Sequence, residues 1–451
     1  MTTAKQSRKN IVVIGGGAAG LFCAVNAARM THEAGIRASV IVLEKTSRLL
    51  TKVAVSGGGR CNVTHACFEI GEMAANYPRG GRFAARAFYK WFTTDTIRWF
   101  AERGVALKTE ADGRMFPVSD SSQTIIDCLI AEANRYGVEI WTRAEVAEVE
   151  VAAAATADTM EVGSDEGARF RVKLADSRVI GSDHVCIACG GYPKSALFEW
   201  VRRSGHTIEP PVPSLFTFNM PGHPITQLMG ISVPDVKVRI ILQTAGARGS
   251  KLTERGPLLI THWGLSGPVI LRLSAWGARE LAAVGTPGSR PAYTFSILVN
   301  WLPSLSEQAL RDEIHSLRQE LAGQKIMSKS PFRLPQRLWE FLLLQAGIGE
   351  GMRWAELPSR EQNRLLQTLA ATGFDIKGKT TFKEEFVTAG GVRLTEVDPL
   401  SMQSKKVPGL YFAGEILDVD GITGGFNFQH AWTSGWIAAK SMAASIGGRA
   451  G

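Results

Sequence analysis

The feature that most restricts how this chain can fold is IVVIGGGAAG, residues 11–20. Four apolar residues, Ile11 to Ile14, read as a buried parallel strand, and the glycines that follow turn it into a helix. Gly15, Gly17 and Gly20 fall in the G-x-G-x-x-G register. The first allows a tight turn, the second lets backbone approach a pyrophosphate, and the third lets the helix pack close to the strand. A second strand, Ser39 to Leu43, ends at Glu44, 29 positions after Gly15, where a carboxylate can bind ribose hydroxyls. The unit is a dinucleotide-binding βαβ fold, with Ala18 and Ala19 contributing N–H groups at the helix start.

Lys5, Arg8 and Lys9 before this uncharged run imitate a signal peptide, but the glycines argue for a strand and helix instead. At 451 residues two or three domains are expected. Six cysteines in so long a chain do not make a disulfide framework, so a reducing compartment, the cytoplasm, is the expectation, with no membrane segment. The net charge of +9 is a mild bias toward anionic partners and identifies none.

Two further motifs separate the possible dinucleotides. SGGGRCNVT, Ser56 to Thr64, offers the backbone N–H groups of Gly57, Gly58 and Gly59, the Arg60 guanidinium and Asn62, a set suited to phosphate oxygens or a flavin edge. Tyr411 to Trp432, YFAGEILDVDGITGGFNFQHAW, carries a strand to Glu415, which can hold ribityl hydroxyls, and then opens a helix at Gly424 and Gly425. The positive end of that helix would face flavin N1, where negative charge gathers on reduction. Distant segments converging on one cofactor point to FAD.

The remaining pattern divides the chain. Residues 1–205 and 396–451 are expected to form the FAD-binding Rossmann-like α/β domain. Alternation at Val236, Val238 and Ile240 and at Phe295, Ile297 and Val299 marks an inserted antiparallel β-barrel, 206–302 and 376–395. A helical subdomain, 303–375, is expected from Ser304-x-x-Glu307 and Ser359-x-x-Gln362, both read as capping boxes. Asp95 or a neighbouring Thr is read as a further N-cap, and Gly113 to Asp120 as a turn-rich loop.

With VVIGGGAAG, SGGGRCNVT, GRMFPVSD, ACGGYPKS, LLITHWGLSGP, VTAGGV and AGEILDVDGITGGFN together, the chain resembles the BaiN/YhiN-type flavoproteins, also called the aminoacetone oxidase family, over nearly its whole length. The resemblance implies that Lys45, Lys52, Gly190, Gly414, Phe426 and Asn427 join the FAD neighbours, and that Val146 meets the adenine through its backbone. It also implies a Rossmann-like FAD domain interrupted by a barrel and a helical part. Two departures stand out: Tyr192 to Trp200 lacks the family's second Gly-rich turn, and Phe426 stands in GGFN where GGYN is usual.

The expected activity is transfer of hydride through flavin N5, with NAD(P)H as a transient donor and a small organic molecule bearing an activated carbon–carbon double bond as substrate. Two alternatives stay open: an oxygen-dependent amine oxidase of the aminoacetone type, and an RNA-binding flavoprotein that modifies tRNA. His262 in THWGLSGP is the candidate proton donor, with a structural turn as its other reading. Cys186 and Cys189 read as inert, and no metal spacing is present. Arg82, Arg86 and Lys90, beside Phe83, Tyr89 and Trp91, read first as a solvated helix face and second as a nucleic-acid stripe, so nucleic acid is not the expected partner.

Overall fold

The computed structural model describes residues 9–152, 168–242, 252–284, 293–380 and 387–448. The chain divides into two compact units, one of residues 1–213 and 383–451 and one of residues 214–382.

The first unit begins with β1 (Lys9–Ile14), α1 (Ala18–Glu33) and β2 (Ala38–Glu44), the βαβ unit read from the glycines. Then come α2 (Thr51–Gly59), β3 (Thr64–His65), α3 (Ile70–Ala74), α4 (Gly81–Phe88) and α5 (Thr93–Ala101). Asp95 is not the N-cap of α5. Phe92 holds that position and Asp95, three residues into the helix, accepts the Phe92 N–H at 2.8 Å. β4 (Leu107–Thr109) and β5 (Arg114–Pro117) follow, so half of the expected Gly113–Asp120 loop is a strand, paired on one side with β4 and on the other with β3. α6 (Ser122–Arg135), capped by Ser121, leads to β6 (Glu139–Thr142). β7 (Val146–Val151), β8 (Phe170–Leu174) and β9 (Val179–Ser182) form a separate antiparallel meander. β10 (His184–Ile187), α7 (Glu199–Arg203) and β11 (Ile208–Ser214) complete this stretch.

The second unit contains β12 (Thr217–Asn219), β13 (Ser232–Ile241), β14 (Thr253–Thr261), β15 (Gly264–Ser266), α8 (Pro268–Trp276), α9 (Ala278–Ala283) and β16 (Thr294–Asn300). It ends with α10 (Glu307–Glu320), α11 (Gln336–Gln345), α12 (Ser359–Ala371), β17 (Thr372–Lys377) and β18 (Lys379–Thr380). The sheet runs β17-β16-β13-β14-β15-β12-β18. Its two edges belong to one stretch of chain bent at Gly378, which pairs with β16 before the bend and with β12 after it, so neither edge is left open. Val236, Val238, Ile240, Ile297 and Val299 point into a core shared with Leu310, Ile314, Trp339 and Leu365 of the helices. Both expected capping boxes are displaced: Ser306, not Ser304, caps α10, and Pro358 precedes α12.

The chain re-enters the first unit through β19 (Val387–Val392), which pairs with β11, and ends with β20 (Leu410–Phe412) and α13 (Phe426–Gly447). The Rossmann sheet is β20-β10-β1-β2-β6, parallel at every step. Ile11, Val12, Val13, Val185, Ile187 and Phe412 are fully buried, as parallel strands covered on both faces require. α1 packs along α13, where Gly435 permits close approach because a Cβ there would lie 2.7 Å from the Ala19 carbonyl oxygen. Among the described residues no helix is long and apolar enough to cross a membrane.

Candidate functional site

The three fingerprint glycines do different work. A Cβ on Gly15, at φ +113°, would sit 2.5 Å from the Ala188 oxygen, and one on Gly20 1.9 Å from the Gly15 oxygen, so both are needed for packing. Gly17 has nothing within 4 Å of its absent Cβ and faces open space. It is the N-cap of α1: Leu21 N–H bonds its oxygen at 2.9 Å, leaving the N–H groups of Ala18, Ala19 and Gly20 without intrahelical acceptors. That is an anion cradle.

Glu44, at the end of β2, is oriented by the protein itself. One oxygen accepts the Gly16 N–H at 2.9 Å, and the other accepts the Thr46 N–H and hydroxyl, each at 2.8 Å. A carboxylate has about four lone-pair sites, so roughly one remains for a ligand hydroxyl. Lys45 stands 5.4 Å over the Tyr192 ring, and Val146 opens β7 opposite Leu174.

The second motif is the broken end of α2. Ser56 leaves the helical region with ψ 147°, and Gly57, Gly58 and Gly59 follow with φ +58°, +70° and +83°. Gly57 is held against Phe116, whose ring would lie 2.7 Å from a Cβ, whereas Gly58 and Gly190 face open space. Arg60 stacks on Phe116 at 4.0 Å and pairs with Glu110 at 2.6 Å, so its guanidinium is engaged by protein acceptors. Lys52 meets Glu415 at 2.5 Å, and the other oxygen of Glu415 accepts the Thr388 N–H at 2.8 Å. Gly191 closes over Thr388 and Glu415, with a Cβ 2.6 Å from the former's hydroxyl and 3.0 Å from the latter's carboxylate. Thr388 and Gly191 were not foreseen; only the VTAGGV and ACGG motifs hint at them. Gly414, at φ +74°, lies against Ala19.

At the third motif the helix opens at Phe426, with Gly425 as N-cap. Gly425 does not face open space: its Cβ would lie 2.5 Å from the Thr64 backbone, and its N–H reaches the Asn62 amide oxygen at 2.9 Å in the orientation that satisfies both groups. Asn427 is likewise engaged, exchanging two hydrogen bonds with the Gly421 backbone. Asn62, Asn427 and Gly425 therefore hold the loop itself. The N–H groups of Phe426, Asn427 and Phe428 are the ones left without intrahelical acceptors, since Gln429 N–H bonds Gly425. His65 secures this loop, with Nδ1–H donating to the Gly424 oxygen at 2.9 Å and its ring stacked on Phe426 at 4.7 Å. Tyr77 donates to the Phe426 oxygen at 2.6 Å. Both residues escaped the sequence reading, although His65 directly follows SGGGRCNVT.

His262 occupies the turn between β14 and β15 in the second unit, exposed, its ring edge-on to Trp263 and with no hydrogen-bond partner among the described residues. Cys186 is buried in β10 and Cys189 lies beyond its end, where burial pushes the thiol up to about 11; all six cysteines are free.

Residues 9–441 match the family described as HI0933-like protein Rossmann domain. The chain belongs to that family. It is therefore an FAD-dependent oxidoreductase, and the open Gly17 with the unpaired N–H groups at the start of α1 fits the negatively charged diphosphate of a dinucleotide. Two relatives span almost the whole length of this HI0933-like chain. A 3-dehydro-bile acid delta(4,6)-reductase from Clostridium scindens is 28% identical over 439 residues, 96% of this chain and 98% of its own. A ribosomal RNA dihydrouridine synthase from Escherichia coli is 30% identical over 448 residues, 97% and 99%. A solved 3-ketosteroid-delta4-(5alpha)-dehydrogenase from Rhodococcus jostii superposes with a TM-score of 0.47 at 14% identity, covering 98% of each chain.

Proposed function

We propose that this flavoprotein reduces a carbon–carbon double bond conjugated to a carbonyl, with NAD(P)H as a transient electron donor. One observation carries the reading: of the two full-length relatives, one is named a 3-dehydro-bile acid delta(4,6)-reductase and the other for making dihydrouridine, the reduced form of uridine. In each case hydrogen adds across a double bond polarised by a ring carbonyl. Bound FAD would supply the two-electron chemistry, accepting hydride from the donor and passing it on.

The chain's own residues would bind and orient. The N–H groups of Ala18, Ala19 and Gly20 would take the diphosphate, with Gly17 leaving room for it. Glu44 would take a ribose hydroxyl on its remaining lone pair. The free N–H groups of Phe426, Asn427 and Phe428 would offset negative charge at the reacting end. Lys52 and Thr388 would hold the Glu415 carboxylate in one orientation.

The test is anaerobic mixing of the yellow protein with NADH, NADPH or aminoacetone, followed by a 4-en-3-one steroid or a uridine-containing RNA. Bleaching by a nicotinamide and recovery of colour with either acceptor is the expected result. Bleaching by aminoacetone alone would establish the oxidase instead. A second reading within the same chemistry, uridine in RNA as the acceptor, is favoured by Arg82 and Arg86 of α4, both exposed and without an acidic partner among the described residues.

A further inference from the structure

The stretch from Met73 to Thr94 contains four basic residues and no acidic one, and the α13 sequence, Phe426 to Gly447, has Lys440 and no acidic residue. Arg79 is consumed by the buried Asp420. The other three, Arg82, Arg86 and Lys90, are exposed, and among the described residues no carboxylate lies within 4 Å of any of them. This sets them apart from Arg60, Arg103 and Arg114 of the same unit, each of which has an acidic partner. Glu69 and Glu72, at the neighbouring helix α3, are also exposed and pair with none of the three.

The spacing is regular. Four residues of helix advance about 6 Å, so Arg82 and Arg86 lie one above the other on α4, and Lys90 continues the row past its end. Tyr89, beside Lys90, is 77% exposed. Trp91 turns inward and meets Trp436 of α13 at 4.7 Å between ring centroids, and Lys440 stands 4.9 Å over that second indole. Arg82, Arg86, Tyr89 and Lys90 thus form one exposed strip, and the buried Trp91 ties its end to Trp436 and Lys440 of α13.

We infer that this strip is a docking surface for RNA, resting on the reading of uridine in RNA as the acceptor. Spaced cations without acidic partners match a row of phosphates, and an exposed tyrosine among them offers a face on which an unpaired base can stack. A lipid surface would need apolar side chains turned outward. The large ones of α4, Phe83 and Phe88, are both buried.

The experiment measures binding of a uridine-containing RNA hairpin as a function of salt for the wild-type holoprotein, R82Q/R86Q/K90Q and Y89A. Vesicles containing phosphatidylglycerol form a second arm, and NADPH-driven reduction of a 4-en-3-one steroid, with flavin content, a third. The triple variant is expected to bind RNA at least tenfold more weakly, with a log–log salt slope smaller by about 2 for three lost contacts at roughly 0.7 each. Steroid reduction and flavin content should not change, and Y89A should weaken binding with the salt slope retained. Wild-type protein that binds no RNA would end the RNA reading and this surface with it. Wild-type RNA binding that the triple variant matches would overturn the surface alone, whereas binding to vesicles without binding to RNA would overturn both. Should the triple variant lose flavin, R86Q and K90Q singly are expected to show the same change at about 0.7 in slope each.

Discussion

Gly17 and Gly425 belong to the same kind of motif and answer to different constraints. At Gly17 φ is −85° and the missing Cβ faces open space, so a side chain is tolerated by the fold and obstructs only what approaches from outside. At Gly425 φ is +95° and a Cβ would strike the Thr64 backbone, so even alanine strains the protein. Gly17→Val is therefore expected to yield a folded, colourless protein with the melting temperature of the wild-type apoprotein, whereas Gly425→Ala should lower apoprotein stability by about 1–3 kcal/mol. Flavin content and thermal melts of both apoproteins check this; a Gly17→Val protein that is still yellow would remove Gly17 from the cofactor site. The G-x-G-x-x-G register was plain in the sequence because it is local. That Gly425 is closed was not, because that depends on the Thr64 backbone, far away in the chain. His430 shows the same limit. It is buried in α13 with neither ring nitrogen hydrogen-bonded, the Gly414 backbone lying near but not at bonding geometry, and burial pushes its imidazole down to about 4. A folded-state value below the ordinary 6.5 means that the unfolded chain binds the proton first. The stability it contributes is complete above pH 6.5 and lost as pH falls toward 4. His430→Phe should lessen the fall in urea midpoint between pH 7.5 and pH 5, and at pH 7.5 should match or exceed wild type, since two unpartnered polar atoms are gone.

Elements were legible where their pattern is periodic and blurred where a tertiary partner decides. The alternation in β13 and β16 and the glycine punctuation around β1 and α1 needed no distant information. The start of α10 did. Ser304 and Glu307 have capping-box spacing, but Ser304 is taken by Arg255, whose guanidinium donates to its hydroxyl at 2.5 Å, and the helix is capped by Ser306 accepting the Ala309 N–H at 3.1 Å. Ser306→Ala should thus cost about 1 kcal/mol in chemical denaturation and Ser304→Ala, at an exposed ion-pair network, under about 0.5 kcal/mol. Equal effects would return the cap to Ser304. The start of α13 is where Gly424 and Gly425 put it, but what steadies it was not legible: the side chains of Asn62, His65 and Tyr77 come from a segment some 350 residues earlier.

On the scale of the whole chain, the insertion has a physical seam. β11 and β19 pair on either side of it, with Arg393 N–H on the Thr207 oxygen at 2.9 Å and Gly390 packed against Pro210 and Pro211. Numbers that rise on one strand as they fall on the other mean an antiparallel ladder, so its next step brings Pro213 opposite Val387. Two strand ends so placed can be joined by a hairpin loop of two to five residues. The segment between them carries its own core: the buried cluster from Phe216 to Ile376 lies wholly within the second unit. A unit with its own core, entered and left at one seam, should fold without the rest. Replacing residues 214–386 by a short Asn-Gly loop is therefore expected to leave a chain that retains FAD through gel filtration, because every residue proposed above as holding the cofactor lies outside the segment. Residues 214–382 alone should melt cooperatively and bind no flavin. If the shortened chain is folded by circular dichroism but colourless, the cofactor draws on residues of the inserted unit, and the assignment of FAD binding to the first unit alone is wrong.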